Sequence, residues 1–204
     1  MKTISLSGLM VAGLLGALIV PSVNAAGDPE AGRTKFYTCE GCHGVAGYTN
    51  VYPSYHVPRI GGQHADYVVS ALKAYRSGQR THGSMLGNAA NMTDQDIEDI
   101  AAYVSRFRSM NAALPVTGNP SVGQGKSESC GACHGEDGNT TDPNFPRLAG
   151  QYESYLIKAL QDYKSGARKN PIMNGIAEGL SEEDMRDIAA YYASQKKGLT
   201  IVED

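Results

Sequence analysis

The sequence contains no tryptophan and only three phenylalanines in 204 residues, whereas glycine occurs 24 times and tyrosine twelve times. The large apolar side chains that usually fill a core are therefore scarce for a chain of this length. Charged residues are also few, at 19%, and the formal net charge of −3 excludes the strongly basic composition of a nucleic-acid-binding protein. The apolar fraction of 41% is still that of a globular protein, which needs a filled core. We therefore expect a non-protein group to occupy the volume that large apolar side chains do not fill.

Long apolar runs are absent except near the N terminus. Lys2 precedes an apolar stretch at residues 9–20, and small residues follow at 23–25, which predicts an export signal at residues 1–25 that is removed before Ala26. The stretch is shorter than the span of about 20 residues that crosses a membrane. We therefore expect a periplasmic protein without a stable membrane span, while an uncleaved anchor and a peripheral membrane association stay open.

Cysteine is scarce too, and all four cysteines lie in two copies of one motif, Cys-x-x-Cys-His. The copies are Cys39, Cys42 and His43, and Cys130, Cys133 and His134. Two thiols at this spacing can each form a thioether with one vinyl group of a haem, and the adjoining histidine then reaches the iron as proximal ligand. The motifs predict two covalently bound haem c groups, which would supply the missing core.

Three other uses of paired cysteines compete with haem attachment. A zinc ribbon needs its cysteine pairs separated by a short loop, whereas these pairs lie 91 residues apart. A thioredoxin-like pair follows a β-strand and needs no histidine. Two disulfides, the usual state of four cysteines in an exported protein, need no histidine either. The repeated histidine therefore favours haem.

The chain repeats itself with an offset of 88 residues. The segment PRIGGQ at residues 58–63 matches PRLAGQ at residues 146–151, and the positions that follow align without a gap. Such a duplication predicts two tandem domains. We place them at residues 26–113 and 114–204, with a proline- and glycine-containing linker at about residues 111–121.

Each repeat has the pattern of a mostly helical domain, and strand signals are weak, so the predicted fold is all-α. Short helices are expected at residues 28–38 and 120–129, just before or entering the haem motifs. Tyrosine, leucine and other apolar residues at helical spacing mark a second helix, and capping-box patterns at Thr93 and Ser181 begin a third. Before the second helix, the loop at residues 44–57 is three residues longer than its partner in the other repeat.

The sixth ligand of each iron decides between electron transfer, which a filled position favours, and catalysis, which needs an open one. Only one methionine pair is repeated, because Met85 aligns with Met173. Both precede the third helix in segments rich in glycine and asparagine, where the backbone can bend toward a metal, and both are predicted ligands. The other candidates lack a counterpart of the same type and are assigned to the core or to solvent; they are Met92, Met185, His56, His64 and His82.

Taken together, the two motifs, the repeated PRIGGQ and PRLAGQ segments, the aligned methionines and the export signal resemble the dihaem cytochrome c4 family over essentially the whole mature chain. The resemblance implies two class I cytochrome c domains related by a pseudo-twofold axis. It implies low-spin irons ligated by His43 and Met85 in the first domain and by His134 and Met173 in the second.

The resemblance also implies roles for residues around each haem. The carbonyl groups of Pro58 and Pro146 would accept a hydrogen bond from the proximal histidines and so orient their rings. Arg59 and Arg147 would contact haem propionates or lie on the solvated surface. The longer loop in the first repeat implies different surroundings for the two haems.

The function implied is that of a periplasmic carrier that shuttles single electrons within a respiratory chain, toward a terminal oxidase, without substrate turnover of its own. Its partners would be cytochromes, copper proteins or a membrane oxidase. Residues 26–113 have no net charge and residues 114–204 have a charge of −4, so the second domain is expected to favour a basic partner.

Two alternatives stay open for the function. One is a dihaem subunit of a larger oxidoreductase, resembling the cytochrome subunit of flavocytochrome c sulfide dehydrogenase. The other is a dihaem peroxidase, against which the aligned methionines argue because peroxide chemistry needs an open iron site.

Overall fold

The computed structural model describes residues 27–109 and 112–203, and the predicted signal at residues 1–25 lies outside the described residues. The fold is helical, as expected, with one small sheet. The elements are α1 (Pro29–His43), β1 (Thr49–Val51), β2 (Ser54–His56), α2 (Ala65–Arg76), α3 (Gly83–Ala89), α4 (Asp94–Val104), α5 (Pro120–Lys126), α6 (Glu128–His134), α7 (Glu153–Lys164), α8 (Pro171–Glu178) and α9 (Glu182–Ala193). Helices α1 to α4 form the first half of the molecule, and α5 to α9 form the second.

Three of the longer helices, α1, α4 and α9, begin at a side-chain cap. The side chain of Asp28 accepts hydrogen bonds from the first turn of α1. Thr93 and Asp96 form the reciprocal bonds of a capping box at the start of α4, and Ser181 and Asp184 form the same box at the start of α9. The capping boxes predicted from the sequence are therefore present in both halves.

The first and last helices of each half cross at a glycine. A Cβ atom on Gly32 of α1 would lie 2.0 Å from the backbone oxygen of Asp99 in α4. A Cβ atom on Gly123 of α5 would lie 1.9 Å from the backbone oxygen of Asp187 in α9. Both distances are shorter than any van der Waals contact, so the absence of a side chain permits the close packing on which each half is built.

One carboxylate in each half ties the same pair of helices together. Asp99 of α4 accepts a hydrogen bond from Nζ of Lys35 in α1 at 2.5 Å and another from the backbone N–H of Asp28 at 2.7 Å. Asp187 of α9 accepts one from Nζ of Lys126 at 2.9 Å. Burial opposes ionisation of Asp99, but the bonds from Lys35 and Asp28 outweigh it and lower the pKa of this carboxyl.

Buried apolar side chains form one contact cluster in each half. The cluster in the second half has only four buried members, which are Leu156, Ile188, Ala189 and Tyr192. The first half has a larger cluster around Phe36, Leu72 and Ile97. The second half buries further apolar side chains outside this cluster, among them Met185 and Leu199.

The longer loop of the first half contains a β-hairpin, which the weak strand signals did not predict. Strands β1 and β2 pair antiparallel, with Thr49 opposite His56. The backbone N–H of Gly47 donates to the hydroxyl of Tyr152 at 2.8 Å, and the ring of His56 stacks on the ring of Tyr152 with centroids 4.6 Å apart. An isolated two-stranded hairpin has marginal stability in water, so the contacts with the second half stabilise this one. Because those contacts are not local, the strand propensity of residues 49–56 did not predict it.

The repeated PRIGGQ and PRLAGQ segments face each other and join the two halves. The side chain of Gln151 accepts from the backbone N–H of Arg59 and donates to its carbonyl oxygen, both at 2.9 Å. Gln63 makes the same two bonds to Arg147, at 2.9 and 3.1 Å. Such reciprocal contacts are those of two halves related by a pseudo-twofold axis.

The C-terminal segment runs between the halves and contacts both. The backbone N–H of Leu199 donates to the carbonyl of Ala149 at 2.8 Å, while Thr200 pairs with Gly61. Val202 is buried in the apolar cluster of the first half. The domain limits stay a prediction. The last residues belong to the second domain in that prediction, but they pack on the first half.

Replacing Gly32 by alanine is expected to destabilise the first half, because the new Cβ would overlap the carbonyl of Asp99. Overpacking costs about 1–3 kcal/mol in typical cores, and a helix backbone moves aside less easily than a side chain, so we expect the free energy of unfolding to fall by about 3 kcal/mol. Denaturation in guanidinium chloride measures this change.

The control is Gly41→Ala on the same helix, where a Cβ meets no atom within 4 Å. It should raise the free energy of unfolding by up to about 1 kcal/mol, because alanine favours a helix over glycine. Equal unfolding midpoints for the two variants would contradict the close helix crossing.

Candidate metal centres

Each cysteine pair lies near the end of a helix whose last residue is the histidine of the motif. The groups are Cys39, Cys42 and His43 in α1, and Cys130, Cys133 and His134 in α6. All four cysteines are free thiols. Throughout the described residues, no group of three or more His, Cys, Asp or Glu side chains comes together. The arrangement is thus neither the pair of disulfides nor the four-cysteine zinc site considered above.

The helix expected before the first motif continues through it, whereas the one expected before the second motif is divided into two helices. The sequence pattern predicted ends at residues 38 and 129, whereas α1 runs to His43 and α6 to His134. In the second half, Ser127 separates α5 from α6. Because the motif itself is helical, its two thiols lie about one turn apart, with the histidine directly after the second.

A hydrogen bond fixes the tautomer of both histidines. The Nδ1 atom of His43 lies 2.9 Å from the carbonyl oxygen of Pro58, and Nδ1 of His134 lies 2.9 Å from that of Pro146. A carbonyl oxygen only accepts, so Nδ1 carries the proton and Nε2 keeps a free lone pair. The hydrogen bond at Nδ1 therefore orients each ring so that Nε2 is available to a metal, which is the usual arrangement of metal-binding histidines in proteins.

Burial favours the neutral form of these rings. His43 and His134 are only 7% and 6% exposed, and burial lowers the pKa of both. The hydrogen bonds to proline oppose this shift, while the charges of His82 and Arg80 add to it at His43. A neutral imidazole is the form that binds a metal.

The aligned methionines occupy equivalent positions in two short helices. Met85 lies in α3 and Met173 in α8, and both are half-buried. The sequence suggested irregular segments here, but side-chain caps make them helical: Nδ1 of His82 accepts from the N–H of Met85, and the side chain of Asn170 accepts from that of Met173 at 3.1 Å. Their role as axial ligands stays a prediction.

The remaining methionines and histidines have other contacts. Met185 is fully buried in α9, and Met92 packs against the apolar cluster of the first half. The Nδ1 atom of His56 lies 2.9 Å from the hydroxyl of Ser154, and Nε2 of His64 lies 2.9 Å from a carbonyl oxygen of the second half. These two histidines therefore serve the contact between the halves.

Arg59 and Arg147, expected at haem propionates or in solvent, both bond across the interface. Nη1 of Arg59 donates to the carbonyl oxygens of Ala112 and Gly150 at 2.8 and 3.0 Å, and Nη1 of Arg147 donates to that of Gly62 at 2.8 Å. Neither side chain is free in solvent. The buried Nε of Arg59 has no partner within the described part of the chain, so it keeps one donor for an acidic group of a bound cofactor.

The sequence pattern did not single out a second set of reciprocal contacts. Nη2 of Arg80 donates to the hydroxyl of Tyr155 at 2.7 Å, and Nη2 of Arg168 donates to the hydroxyl of Tyr67 at 2.8 Å. The repeat already aligned Arg80 with Arg168 and Tyr67 with Tyr155. These repeated residues were the signal from which the contacts could have been predicted. The tyrosines were instead assigned to an apolar helix face, which their spacing fits equally well.

A family model for cytochrome c matches residues 29–107 and 123–196. The two matched ranges include both Cys-x-x-Cys-His motifs, both prolines that hold the histidines, and both aligned methionines. A helical fold with such motifs, matched twice, defines a c-type cytochrome with two haem-binding domains.

Comparison with known proteins narrows this class. Cytochrome c4 of Stutzerimonas stutzeri is 34% identical over 206 residues, covering 90% of this chain and 96% of the relative. The solved structure of Acidithiobacillus ferrooxidans cytochrome c4 aligns with a TM-score of 0.68 and 32% identity, covering 78% of this chain and 99% of that one. The thiosulfate dehydrogenase electron acceptor of Thiomonas intermedia is 26% identical over 197 residues, covering 89% of this chain and 88% of the relative. The chain belongs to the dihaem cytochrome c4 family.

Two covalently bound haem c groups follow from the family and from the paired motifs. The residues present fit this group. Each motif offers two free thiols for the vinyl groups and a histidine with an available Nε2, and the unpartnered Nε of Arg59 is a donor suited to a carboxylate.

Replacing Cys39 and Cys42 together by alanine is expected to leave one covalently bound haem per chain, because the second motif is complete without the first. Mass spectrometry of the denatured chain and a pyridine haemochrome assay measure the haem-to-protein ratio.

The matched double variant is Cys130→Ala with Cys133→Ala, which should also leave one haem. Two covalent haems in either variant would show that the altered motif is not an attachment site.

Proposed function

We propose that this protein is a periplasmic dihaem electron carrier that moves single electrons between redox partners of a respiratory chain, toward a terminal oxidase. The observation that carries the proposal is the pair of equivalent sites, each with two free thiols and a histidine whose Nδ1 is committed to a proline carbonyl at 2.9 Å. Two such sites suit the transfer of electrons one at a time. The proposed role includes no substrate turnover.

The proposed iron ligands are His43 and Met85 in the first half, and His134 and Met173 in the second. A six-coordinate haem iron exchanges one electron with little geometric change, and a methionine ligand favours a higher potential than a second histidine. The chain contributes by holding each imidazole through Pro58 or Pro146. It also presents each methionine from a capped helix, α3 or α8.

A location in the periplasm is supported by the signal predicted at residues 1–25. Within residues 27–109 and 112–203, no helix is long and apolar enough to cross a membrane. The proposed partners are cytochromes, copper proteins or a membrane oxidase. Nucleic acid is not among them, because the net charge is −3.

The two motifs present different surfaces to a partner. Exposed Tyr37 and Val45 lie beside the first motif, whereas the aligned positions beside the second are exposed Glu128 and Glu136. The first predicted domain has no net charge and the second has a charge of −4. We therefore propose that the second half docks a basic partner by electrostatic steering, and that the first half docks a partner with a less charged face.

A second candidate role is that of an electron acceptor for a separate dehydrogenase. The similarity to the thiosulfate dehydrogenase electron acceptor of Thiomonas intermedia favours it. The chain would then resemble the cytochrome subunit of a flavocytochrome c sulfide dehydrogenase, and co-purification with a dehydrogenase would support this role. A peroxidase is disfavoured, because the repeated methionine fills the position that peroxide would need.

Replacing Met85 by alanine is expected to open the first iron site. The oxidised variant should lose about half of the red-end absorption of the methionine–iron bond, and the reduced variant should bind carbon monoxide at one haem. Visible spectra with and without carbon monoxide measure both effects.

The control is Met92→Leu, since Met92 aligns with Leu180 and packs against the first apolar cluster. It should retain the full absorption and bind no carbon monoxide. If the Met85 variant behaved in the same way as this control, Met85 would not be a ligand.

Replacing Glu128 and Glu136 together by glutamine is expected to slow electron exchange with a basic cytochrome by about two- to fivefold at low ionic strength, because steering by the second half is weakened. The difference should vanish at high salt, where surface charges are screened. Stopped-flow rates measured against ionic strength test this.

The matched control is Glu40→Gln with Asp66→Asn, which removes two exposed carboxylates from the first half. An equal loss of rate in the two double variants would mean that net charge, and not the surface of the second half, governs docking.

A further inference from the structure

Asn174, the residue after the predicted ligand Met173, joins two helices of the second half. Its side-chain Nδ2 donates to the carbonyl oxygen of Tyr163 at 2.5 Å and to that of Arg168 at 2.9 Å. Its Oδ1 accepts from the backbone N–H of Asn170 at 2.8 Å. One half-buried amide therefore ties α8 to the end of α7 and to the turn between the two helices.

Both ends of this amide are occupied. A carboxamide has two N–H donors and a carbonyl acceptor, and here the nitrogen bonds to two carbonyl oxygens while the oxygen bonds to one N–H. A side chain held at both ends leaves its own backbone little freedom to move. Because Met173 precedes Asn174 in the same helical turn, its backbone is held in place as well.

The first half has no such tie at its methionine. Leu86 follows Met85 and aligns with Asn174 by the 88-residue offset, but it is 42% exposed and its side chain cannot form hydrogen bonds. Asn88 is the amide side chain of α3, and it donates to Ser84 of its own helix at 2.8 Å. Within the described residues, no side chain of α3 bonds to α2 or to the turn after it.

The caps of the two methionine helices differ in the same direction. In α8, the side chain of Asn170 accepts from the N–H groups of Ile172 and Met173, both at 3.1 Å. In α3, the ring of His82 accepts a longer bond of 3.4 Å from the N–H of Met85. The first turn of α8 is therefore held by more and shorter bonds than the first turn of α3.

The attachment further along the chain is alike in the two halves. Nη1 of Arg76 in α2 donates to the carbonyl oxygen of Met92 at 2.8 Å. Nζ of Lys164 in α7 donates to the carbonyl oxygen of Leu180. Both donors and both acceptors correspond by the same offset of 88 residues. The difference between the halves therefore lies at the methionines themselves.

We propose that Asn174 is a positioning residue that holds Met173 at the second iron, and that Met85, without such a tie, is the methionine that an external ligand displaces first. The inference deepens the proposed electron-carrier function and rests on its iron ligands. In the displacement, the iron–sulfur bond breaks, a bond from iron to the new ligand forms, and no electron is transferred. The methionine segment must move for this exchange, and a segment with fewer hydrogen bonds opens more easily.

The test is a titration of the oxidised, haem-loaded protein with imidazole, followed by the red-end absorption of the methionine–iron bond. We expect the absorption to be lost in two equal steps, the second at about tenfold higher imidazole, which is the effect expected of a pair of hydrogen bonds. Met85→Ala should retain only the step at high concentration. Coincident steps, or a low-concentration step that persists in Met85→Ala, would overturn the inference.

Replacing Asn174 by leucine gives the second half the residue of the first. The high-concentration step should move down by about tenfold, toward the other step, because all three side-chain bonds are lost. Far-UV circular dichroism under the same conditions verifies that the chain stays folded. A high-concentration step that stays in place in the folded variant would show that Asn174 does not position Met173.

The matched control is Gln161→Leu, the same change of amide to leucine in α7. Gln161 donates to Glu182 of α9 at 2.7 Å and has no printed bond to α8, so its loss removes a contact between helices but leaves the methionine segment attached. It should lower the stability and leave both imidazole steps in place. An equal shift of the second step in this control would mean that general loosening of the second half, and not Asn174, controls the exchange.

A second variant keeps the test decisive if Asn174→Leu does not fold. Asn174→Asp has nearly the same size and retains the acceptor for Asn170, but it loses both donors and places an oxygen against the carbonyl groups of Tyr163 and Arg168. It should also shift the high-concentration step down by about tenfold. An unshifted step in this variant would count against the positioning role.

Failure of this inference is distinguishable from failure of the proposed ligands. Met85→Ala and Met173→Ala should each remove about half of the red-end absorption. If both variants kept the full absorption, the proposed ligands themselves would be wrong and the inference would fall with them. If each lost half but the two imidazole steps of the unaltered protein coincided, the ligands would stand and only the role of Asn174 would be overturned.

Discussion

The hydrogen bond from each proximal histidine to a proline carbonyl ties the redox chemistry to the architecture of the molecule. Pro58 holds the ring of His43, and the next residue, Arg59, gives both of its backbone polar groups to Gln151 in the other half. In the second half, Pro146 holds the ring of His134 in the same way, and the backbone of Arg147 bonds to Gln63 of the first half. The orientation of either ring therefore depends on the short segment that also forms the interface, and neither iron site can reorient without disturbing the contact between domains.

This symmetry is broken in three ways. The backbone N–H of Val202 donates to the carbonyl of His43 at 3.2 Å, so the C-terminal segment covers the end of α1. The hairpin from Thr49 to His56 has no counterpart within residues 112–203, the described part of the second half. At His43, nearby charges add to burial in lowering the pKa, whereas at His134 only burial lowers it, opposed by the bond to Pro146. Two haems in such different surroundings are expected to differ in potential.

The sequence predicted those features of the structure that depend on residues near one another in the chain. The capping boxes at Thr93 and Ser181 and the helical spacing of apolar residues depend on residues close together in the chain, and the structure contains the helices that they predict. The 88-residue repeat was recognised by comparing two such stretches. Helices α3 and α8 were missed, because glycine and asparagine have low helix propensity and the stabilising caps come from His82 and Asn170. The hairpin and the Arg80–Tyr155 bond depend on residues of the opposite half, and no single stretch of sequence encodes such contacts.

The interface also determines how the molecule can move during electron transfer. Rotation of one half against the other would break the four bonds made by Gln63 and Gln151 and the two made by Arg80 and Arg168. Each such bond contributes about 0.5–1.5 kcal/mol, so their simultaneous loss costs several kcal/mol, before the buried C-terminal segment is counted. Since the same segments hold the rings of His43 and His134 through Pro58 and Pro146, such a rotation would also disturb the orientation of these two rings. A dihaem electron-transfer cytochrome built in this way keeps its two motif histidines in fixed positions relative to each other for as long as the halves stay in contact.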